Sequence, residues 1–206
     1  MLESCGVRFC RERLAVTPEE AAAAADAIGY PVVLKADLDG TIHKTEAGAV
    51  TLDIRTRADV LDSCRAIAGR TGARRFVVQE YVGPGVELLI GARRDPAFGP
   101  VVAAGVGGLL TETMRVASFE LAPLGFEDAA TMLNESTLQR LLAGPRGLPA
   151  CRPQPLVETI MAVARLIVGD ARVSEVDLNP VIAAGDRAVA VDAVVIVDAP
   201  DVREPS

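Results

Sequence analysis

The amino-acid sequence predicts an α+β protein built of two lobes, residues 1–93 and residues 94–206. Half of the 206 residues are hydrophobic, which is enough for packed cores at this length. Short apolar runs bounded by glycine and proline alternate with longer segments of helical period, a pattern typical of strands mixed with helices. No long linker or low-complexity tract separates the two halves, so we expect the lobes to share an interface.

The first helix of the first lobe carries clear capping signals. Residues 1–16 before it are interpreted as the tail of a helix followed by an extended link. Thr17-Pro18-Glu19-Glu20 combines an N-cap residue, a proline at the first helical position and the glutamate of a capping box, and Gly29 is a suitable C-terminal cap. A second helix is expected after Thr56. Its predicted apolar face consists of Val60, Leu61, Cys64, Ile67 and Ala68.

Strands and two further helices account for most of the remaining chain. In the first lobe we predict strands over residues 32–35, 49–55, 75–82 and 86–93. In the second lobe we predict strands over 101–106 and 116–121, helices over 126–143 and 154–168, a Gly/Pro-rich loop from Gly144 to Pro155, and two closing strands.

Composition excludes several classes of function. The net charge of −7, without a basic block, argues against nucleic-acid binding and against a membrane-surface role. There is no tryptophan and the aromatic content is only 3%, so a base-stacking surface is not expected. No run of eighteen apolar residues and no leader pattern is present, and we expect a cytoplasmic protein. The four cysteines lack metal-ligand spacing, so we expect reduced thiols and no zinc.

A candidate phosphate site follows the first apolar strand. Lys35 ends that strand, and a polar loop containing His43, Lys44 and Gly48 precedes the next one. Lysine ammonium groups offset phosphate charge, and amides of a glycine-bearing loop can point at phosphate oxygens. A hairpin whose charged tip lies in water is the alternative interpretation, and for such a cluster taken alone it is the more common one.

A predicted hinge lies near the middle of the chain. Gln79-Glu80-Tyr81-Val82 is followed by Gly83-Pro84-Gly85, and exposed backbone groups at such a hinge can pair with an adenine edge. Glu87 follows at the start of an apolar strand. Its carboxylate could accept hydrogen bonds from ribose hydroxyls, although a surface glutamate is the more common explanation for one acid in a strand.

The segment Gly105-Val-Gly-Gly is not a dinucleotide-binding fingerprint, because no third glycine and helix follow in register. We predict instead a tight turn at the end of a strand that lets backbone approach a ligand. Glu112 and Arg115 come just after it. They either face the same cleft or form an ordinary solvated pair.

The most informative segment is Ser174-Glu175-Val176-Asp177-Leu178-Asn179-Pro180. In a strand, the period of two puts Glu175, Asp177 and Asn179 on one face. A hairpin turn at Gly185-Asp186 would place Asn179 opposite Asp192 in the next strand. Asp177, Asn179 and Asp192 would then supply the hard oxygen ligands that Mg²⁺ prefers. The alternative is that Asn179-Pro180 is only a strand end and that Asp192 faces solvent.

The order of these segments resembles one known family. The chain, from about Gly6 to Val197, is similar to the ATP-grasp domain of the NDP-forming acyl-CoA synthetases, which include ADP-forming acetate-CoA ligases and are related to the succinyl-CoA synthetase β subunit. The matching segments are Gly-Tyr-Pro-Val-Val-Leu-Lys at 29–35, Ile-His-Lys-Thr-Glu-Ala-Gly at 42–48, Val-Gln-Glu-Tyr-Val at 78–82, the run from Gly85 to Val101, Leu-Ala-Pro-Leu at 121–124 and Val-Asp-Leu-Asn-Pro-Val at 176–181. The resemblance implies an ATP-grasp fold, with a nucleotide cleft between two α/β lobes.

The resemblance also implies roles for individual residues. Lys35 would hold nucleotide phosphates, and the loop from His43 through Lys44 and Thr45 to Gly48 would cover them. Glu80 and Glu87 would serve the adenosine, with Val82 at the hinge. Mg²⁺ would be held by Asn179 and Asp192, with Asp177 close by.

The family's reaction joins acid, CoA and ATP to give acyl-CoA, ADP and phosphate, or runs in reverse, through a phosphohistidine and an acyl phosphate. The resemblance therefore implies ATP or ADP and Mg²⁺ as cofactors, and CoA bound by a partner subunit or domain that carries the primary phosphohistidine. His43, the only histidine, matches a second histidine that some members are thought to use. A neutral imidazole is a competent nucleophile, and Lys44 could offset charge on the transferring group.

Three positions depart from the family pattern. Ala49 stands where a second glycine is usual, and a methyl group there would be strained if the position needs positive φ. Val116 replaces the aspartate of a Lys-Asp pair, and Glu120 replaces an arginine. These departures leave open a non-catalytic nucleotide-binding module of a larger assembly. An unrelated ATP-grasp carboxylate-amine ligase is a third hypothesis.

Overall fold

The computed structural model describes residues 1–38, 48–108, 116–144 and 148–198. These residues form two compact units. One unit is Cys10–Gly83, and the other joins Met1–Phe9 to Pro84–Ser206. No helix among the described residues is both long enough and apolar enough to cross a membrane.

In the unit Cys10–Gly83, residues 10–38 and 48–83 form an antiparallel four-stranded sheet and two helices. The strands are β1 (Glu12–Ala15), β2 (Val32–Ala36), β3 (Val50–Ile54) and β4 (Phe76–Glu80), in the order β1-β4-β2-β3. The helices are α1 (Pro18–Ile28) and α2 (Arg57–Thr71). Alanines of α1, together with Val60, Cys64 and Ile67 of α2, pack with Leu34 and Val78 of the sheet in one core. Small alanine side chains let α1 approach its neighbours closely.

Both helices begin and end as their capping residues predict. The hydroxyl oxygen of Thr17 accepts a hydrogen bond from the Glu20 backbone N–H, and Thr56 accepts one from Asp59. Glu20 reaches back to the N–H of Val16, one residue before the cap. These bonds satisfy amides that have no partner within the helix.

The beginning of the chain differs from the prediction. Instead of a helix tail and a link, a short 3₁₀ helix spans Glu3–Cys5, and residues Glu12–Ala15 form β1. Three of the four β1 residues are exposed, so this strand lacks the apolar alternation that identifies strands in a sequence. Its pairing with β4, more than sixty positions away along the chain, makes it a strand.

The other unit is built on a six-stranded antiparallel sheet. Its strands are β5 (Val86–Asp95), β6 (Gly99–Val106), β7 (Ala117–Leu121), β8 (Val173–Ala184), β9 (Arg187–Ala190) and β10 (Ala193–Val197). The order is β10-β8-β5-β6-β7, and β9 pairs with the second half of β8. The predicted lobe boundary between residues 93 and 94 falls inside β5, which pairs with β6 and β8 along its length.

Three helices among the described residues accompany this sheet. They are α3 (Phe126–Met132), α4 (Ser136–Leu142) and α5 (Gln154–Gly169). Leu156, Ile160, Val163 and Ile167 of α5 are fully buried in one core with the inward side chains of β5, β6 and β8. The single helix predicted over 126–143 is therefore two helices. The Glu135 carboxylate accepts hydrogen bonds from the amides of Thr137 and Leu138, which starts a new helix there.

Arg94 of β5 ties the sheet to the C-terminal end of α5. Its guanidinium donates to the backbone carbonyls of Val173 (2.9 Å), Asp170 (3.0 Å) and Ile167. The last carbonyls of a helix have no partner within the helix, and a cation is favoured at that end of the helix dipole. Arg94 thus fixes where α5 ends and where β8 begins.

We predict that Arg94→Ala lowers the free energy of unfolding by about 2 kcal/mol, because three carbonyls lose a charged donor. Urea denaturation followed by circular dichroism measures this change. The control is Arg93→Ala, since Arg93 is an exposed neighbour on the same strand; we expect a change within about 0.5 kcal/mol. Equal midpoints for the two variants would show that Arg94 is not needed at this junction.

Candidate functional site

Strand β8 separates an apolar face from a face that carries oxygen atoms. Val176 and Leu178 are buried in the core, whereas Glu175, Asp177 and Asn179 are only partly buried. Alternation along a strand puts the three oxygen-bearing side chains on the opposite face of the sheet. Gly91 of β5 lies opposite Asp177, and Val194 lies opposite it on the other side, in β10.

The pairing that the sequence predicts for Asn179 and Asp192 is bracketed by observed pairs. The hairpin turn is Gly185-Asp186, with Ala184 opposite Arg187 and Val181 opposite Ala190. Beyond it, Leu178 lies opposite Ala193 and Asp177 opposite Val194. The same register therefore holds on both sides of Asn179 and Asp192, although these two residues are not themselves paired in the sheet. This places the two side chains at neighbouring positions of one hairpin.

Three carboxylates, those of Glu175, Asp177 and Asp192, lie near one another here, and Arg93 of β5 lies opposite Glu175. The pKa of Asp177 is raised, first by partial burial and then by the neighbouring carboxylates of Glu175 and Asp192. Asp177 also borders an open groove of about 510 Å³ on the same sheet face, with Glu175, Phe98 and Phe119 among its lining residues. A cation beside Asp177 would offset the repulsion that raises its pKa.

Asp177, Asn179 and Asp192 suit a hard cation only if the Asn179 amide oxygen is one of the ligands. Within the described ranges, no three His, Cys, Asp or Glu side chains are grouped closely enough to hold a metal ion. Asp177 and Asp192 supply two carboxylates, and Asn179 adds an amide oxygen. Few protein ligands of this kind, completed by water and phosphate oxygens, are what Mg²⁺ favours.

The turn after β6 meets this face. The backbone N–H of Gly108 donates to Oδ1 of Asn179 at 3.0 Å, and the N–H of Gly107 donates to the carbonyl of Glu87 at 2.9 Å. Desolvation by the surrounding chain raises the pKa of the Glu87 carboxyl. The backbone of Gly107 lies directly against β5, since a Cβ on Gly107 would overlap the backbone of Leu88. The expected approach of these glycines to a ligand stays a prediction.

Within the unit Cys10–Gly83, the predicted residues Lys35 and Glu80 lie on adjacent strands. Lys35 is opposite Val50 of β3 and Val77 of β4. Glu80 pairs with the guanidinium of Arg11, with 2.9 Å between Nε and Oε2. Val82 lies in the segment between β4 and β5 and is partly buried.

The pKa of the Cys10 thiol depends on the charges around Lys35. Burial raises the pKa of Cys10 to about 11; the Lys35 ammonium acts in the opposite direction, and the carboxylates of Glu12 and Glu80 add to the increase. Lys35, Glu12 and Glu80 therefore act on one buried position.

The departure at Ala49 does not strain the backbone. Asp53 is the one non-glycine residue with positive φ among the residues that the structure describes, so Ala49 has an ordinary φ. Its methyl group is fully buried in the core. Positive φ occurs instead at Gly48 (φ 63°), whose carbonyl accepts two hydrogen bonds from the guanidinium of Arg70.

The other two departures from the family pattern, Glu120 and Val116, lie at the edge of the sheet of the larger unit. Glu120 is exposed on β7, opposite Val102. Val116 accepts a backbone hydrogen bond from Val106 and so extends the pairing of β6 with β7. His43, Lys44 and Thr45 lie outside the described residues, as do Glu112 and Arg115. Their predicted roles stay predictions.

Three contacts at the site were not predicted from the sequence. They involve Arg11 with Glu80, Arg70 with the Gly48 carbonyl, and Gly108 with Asn179. All three join residues that are far apart in the sequence, and an arginine in a loop or helix carries no local signal of its partner. The proximity of Glu175 to Asp177, in contrast, was expected, because the period of two put both on one face.

We predict that Asp177→Asn raises the melting temperature of the ligand-free protein at pH 7.5. A carboxyl whose pKa is higher in the folded state than in the unfolded state binds its proton more tightly when folded, so its contribution to stability falls as pH rises through the two pKa values. The gain should be smaller at pH 4, because protonation of the wild-type carboxyl removes the charge that is unfavourable in the folded state. Differential scanning calorimetry at both pH values measures it.

The matched control is Glu3→Gln, which removes one exposed negative charge from the same unit without touching this cluster. We expect its melting temperature to stay near that of the wild type at both pH values. A lower melting temperature for Asp177→Asn at pH 7.5 would contradict the unfavourable charge environment inferred for Asp177.

Comparison with known proteins identifies the family. Residues 1–197 match the family model of an ATP-grasp domain. The chain is 33% identical over 202 residues to the acetate-CoA ligase (ADP-forming) I subunit beta of Pyrococcus furiosus, covering 94% of this chain and 86% of that subunit. It is 37% identical over 207 residues to a trans-feruloyl-CoA synthase of an unknown prokaryotic organism, covering 96% of this chain but 29% of that protein.

Solved structures agree with this match. The chain is similar to the dinucleotide forming acetyl-coenzyme A synthetase 1 of Ca. Korarchaeum cryptofilum, at 36% identity and with 95% of this chain covered. The TM-score is 0.88 to its complex with coenzyme A, Ca-AMPCP and HgCl⁺, over 89% of that chain, and 0.83 to its complex with coenzyme A and Mg-AMPPCP, over 88%. The predicted fold and the predicted resemblance are confirmed, and the chain belongs to the ATP-grasp domain family.

Proposed function

We propose that this chain is the Mg·ATP-binding, phosphoryl-transferring component of an ADP-forming acyl-CoA synthetase. The overall reaction would join an acid, CoA and ATP to give acyl-CoA, ADP and phosphate. The observation that carries the proposal is the match to an acetate-CoA ligase beta subunit over 94% of this chain and 86% of that subunit. The chain spans only 29% of the feruloyl-CoA synthase, so a second subunit or domain would supply the remaining functions.

The residues present fit a magnesium ion. Partial burial, followed by the carboxylates of Glu175 and Asp192, raises the pKa of Asp177, and the Asn179 amide oxygen lies on the same face of β8. We propose that Asp192 and Asn179 hold the ion, with Asp177 beside it. When bound, the ion would neutralise charge on the nucleotide phosphates.

Further residues of the chain would contact the nucleotide. Lys35 would offset phosphate charge, Gly48 would end the loop that covers the phosphates, and Glu80 with Glu87 would accept hydrogen bonds from the adenosine. Val82 would offer its backbone to the adenine edge. Glu87 is exposed on β5, so its carboxylate is accessible to ribose hydroxyls, and desolvation by the surrounding chain still raises its pKa.

His43 would carry the phosphoryl group. A ring nitrogen of the neutral imidazole would attack the terminal phosphorus of ATP, forming an N–P bond as the bond between that phosphorus and the ADP oxygen breaks and ADP leaves. Lys44 would offset charge on the transferring group, and Thr45 would bind the phosphates beside it. Transfer from His43 to a histidine of the CoA-binding partner, and then to the acid, would give the acyl phosphate that CoA attacks.

The partner would therefore be a CoA-binding acyl-CoA synthetase subunit or domain. The crystallised relative from Ca. Korarchaeum cryptofilum contains coenzyme A, and one of its complexes has a phosphohistidine segment pointing towards the nucleotide binding site. A cytoplasmic location completes the proposal, because ATP and CoA are both abundant there. The identity of the acid would be set in the partner.

The first test is a thermal-unfolding shift with ATP, with and without Mg²⁺. Ligand at about a hundred times its dissociation constant should stabilise the native state by roughly 2.7 kcal/mol. We expect a magnesium-dependent rise in melting temperature for the wild type and none for Asn179→Ala. No shift in any condition would overturn nucleotide binding by this chain.

The second test is labelling by γ-³²P ATP, and it separates a catalytic component from a non-catalytic module. We expect acid-labile label on the wild-type chain and none on His43→Ala, because this is the only histidine. Nucleotide binding without label would favour the non-catalytic module. ADP release that depends on an amine and not on CoA would favour a carboxylate-amine ligase.

A further inference from the structure

The turn at Gly107-Gly108, at the end of β6, contacts two residues with different proposed roles. Glu87 is proposed to serve the adenosine, and Asn179 is proposed to hold the magnesium ion. These two residues lie on neighbouring strands, β5 and β8, but in that ladder Glu87 is opposite Ile182 and not opposite Asn179. The turn is the structural feature that touches both.

On the Glu87 side, the contact involves backbone and side chain. The Gly107 N–H donates to the Glu87 carbonyl at 2.9 Å. A Cβ on Gly108 would overlap the Glu87 carboxylate, so the carboxylate lies directly against the Gly108 backbone. Any side chain at position 108 would have to displace the Glu87 carboxylate.

On the Asn179 side, the contact is a hydrogen bond. The Gly108 N–H donates to Asn179 Oδ1 at 3.0 Å. A backbone N–H can donate only to the oxygen of the amide, so the bond fixes which end of the side chain faces the turn. An amide oxygen has two lone pairs, and the second remains suited to a cation.

Position 108 favours glycine because its φ is +64°, in the left-handed region that side chains rarely adopt. A Cβ there would also meet Oε2 at the end of the exposed Glu87 side chain, so a side chain at position 108 would move the Glu87 carboxylate from its present position.

We propose that Gly108 is a positioning residue that holds Glu87 and Asn179 in register with each other, so that nucleoside binding and cation binding are linked through one backbone position. The inference rests on the proposed function, because it takes the roles of these two residues from there. It adds that the cation residue contributes to nucleoside binding even when no metal is present.

The main test compares Gly108→Ala with Gly185→Ala. Gly185 has nearly the same φ, +59°, but nothing lies within 4 Å of the Cβ position there, so its variant carries the backbone strain without the displaced neighbour. Isothermal titration calorimetry would measure adenosine binding in EDTA and the Mg²⁺ dependence of AMP-PCP binding. We expect Gly108→Ala to weaken both about tenfold or more, and Gly185→Ala to stay within about twofold of the wild type.

A second measurement does not require Gly108→Ala to fold. Asn179→Ala should weaken adenosine binding in EDTA several-fold, although adenosine has no phosphate and no metal is present. A residue that acts only as a metal ligand would leave this affinity unchanged. Asp192→Ala is the control, since Asp192 has no contact with Gly108 among the described hydrogen bonds, and we expect it to lose the Mg²⁺ response alone.

The outcomes separate the inference from the proposed function. If the wild type binds Mg·AMP-PCP but Gly108→Ala binds like Gly185→Ala, or Asn179→Ala keeps full affinity for adenosine, the linkage through Gly108 is overturned and the proposed function stands. If the wild type binds neither adenosine nor Mg·AMP-PCP, both are overturned together.

Discussion

The alternation of strand β8 is the constraint on which the larger unit depends. Val176 and Leu178 enter the core beneath α5, and Glu175, Asp177 and Asn179 present carboxylates and an amide on the other face. A slip of one residue would bury Asp177 and expose Val176, at a cost that no nearby contact could offset. The apolar core thus holds the oxygen-bearing face in place, and Arg94 fixes the point where β8 starts.

Much of this arrangement follows from local signals. The caps at Thr17 and Thr56, the turn at Gly185-Asp186 and the register beyond it depend on residues near one another in the chain, and the structure has them as predicted. Strand β1 could not be predicted, because its exposed residues become a strand only by pairing with β4. The break between α3 and α4 depends on a glutamate, which is a weaker cap signal than serine or aspartate.

In the candidate site, too, local sequence signals predict some features and miss others. The period of two placed Glu175, Asp177 and Asn179 on one face without any tertiary information. The partners that orient the site residues, Arg11 for Glu80 and Gly108 for Asn179, are long-range contacts that composition and spacing do not encode. Ala49 shows the converse: a departure from the family pattern suggested strain, yet the backbone there is ordinary and the positive φ belongs to the preceding glycine.

Val116 and Glu120, the other departures from the family pattern, can be judged by the same criterion. A substitution disables a site when it alters a conformation, a charge or a contact that the chemistry uses. Ala49 alters none of these, since its methyl group fills core space, and Val116 takes part in the sheet through its backbone, which any side chain can share. Glu120 does change a charge. It is, however, an exposed residue of β7 that lies opposite Val102 of β6, and β7 does not pair with β8. The departures that the structure describes therefore leave the donor set of Asp177, Asn179 and Asp192 unaltered, which favours a working nucleotide site over a decayed one.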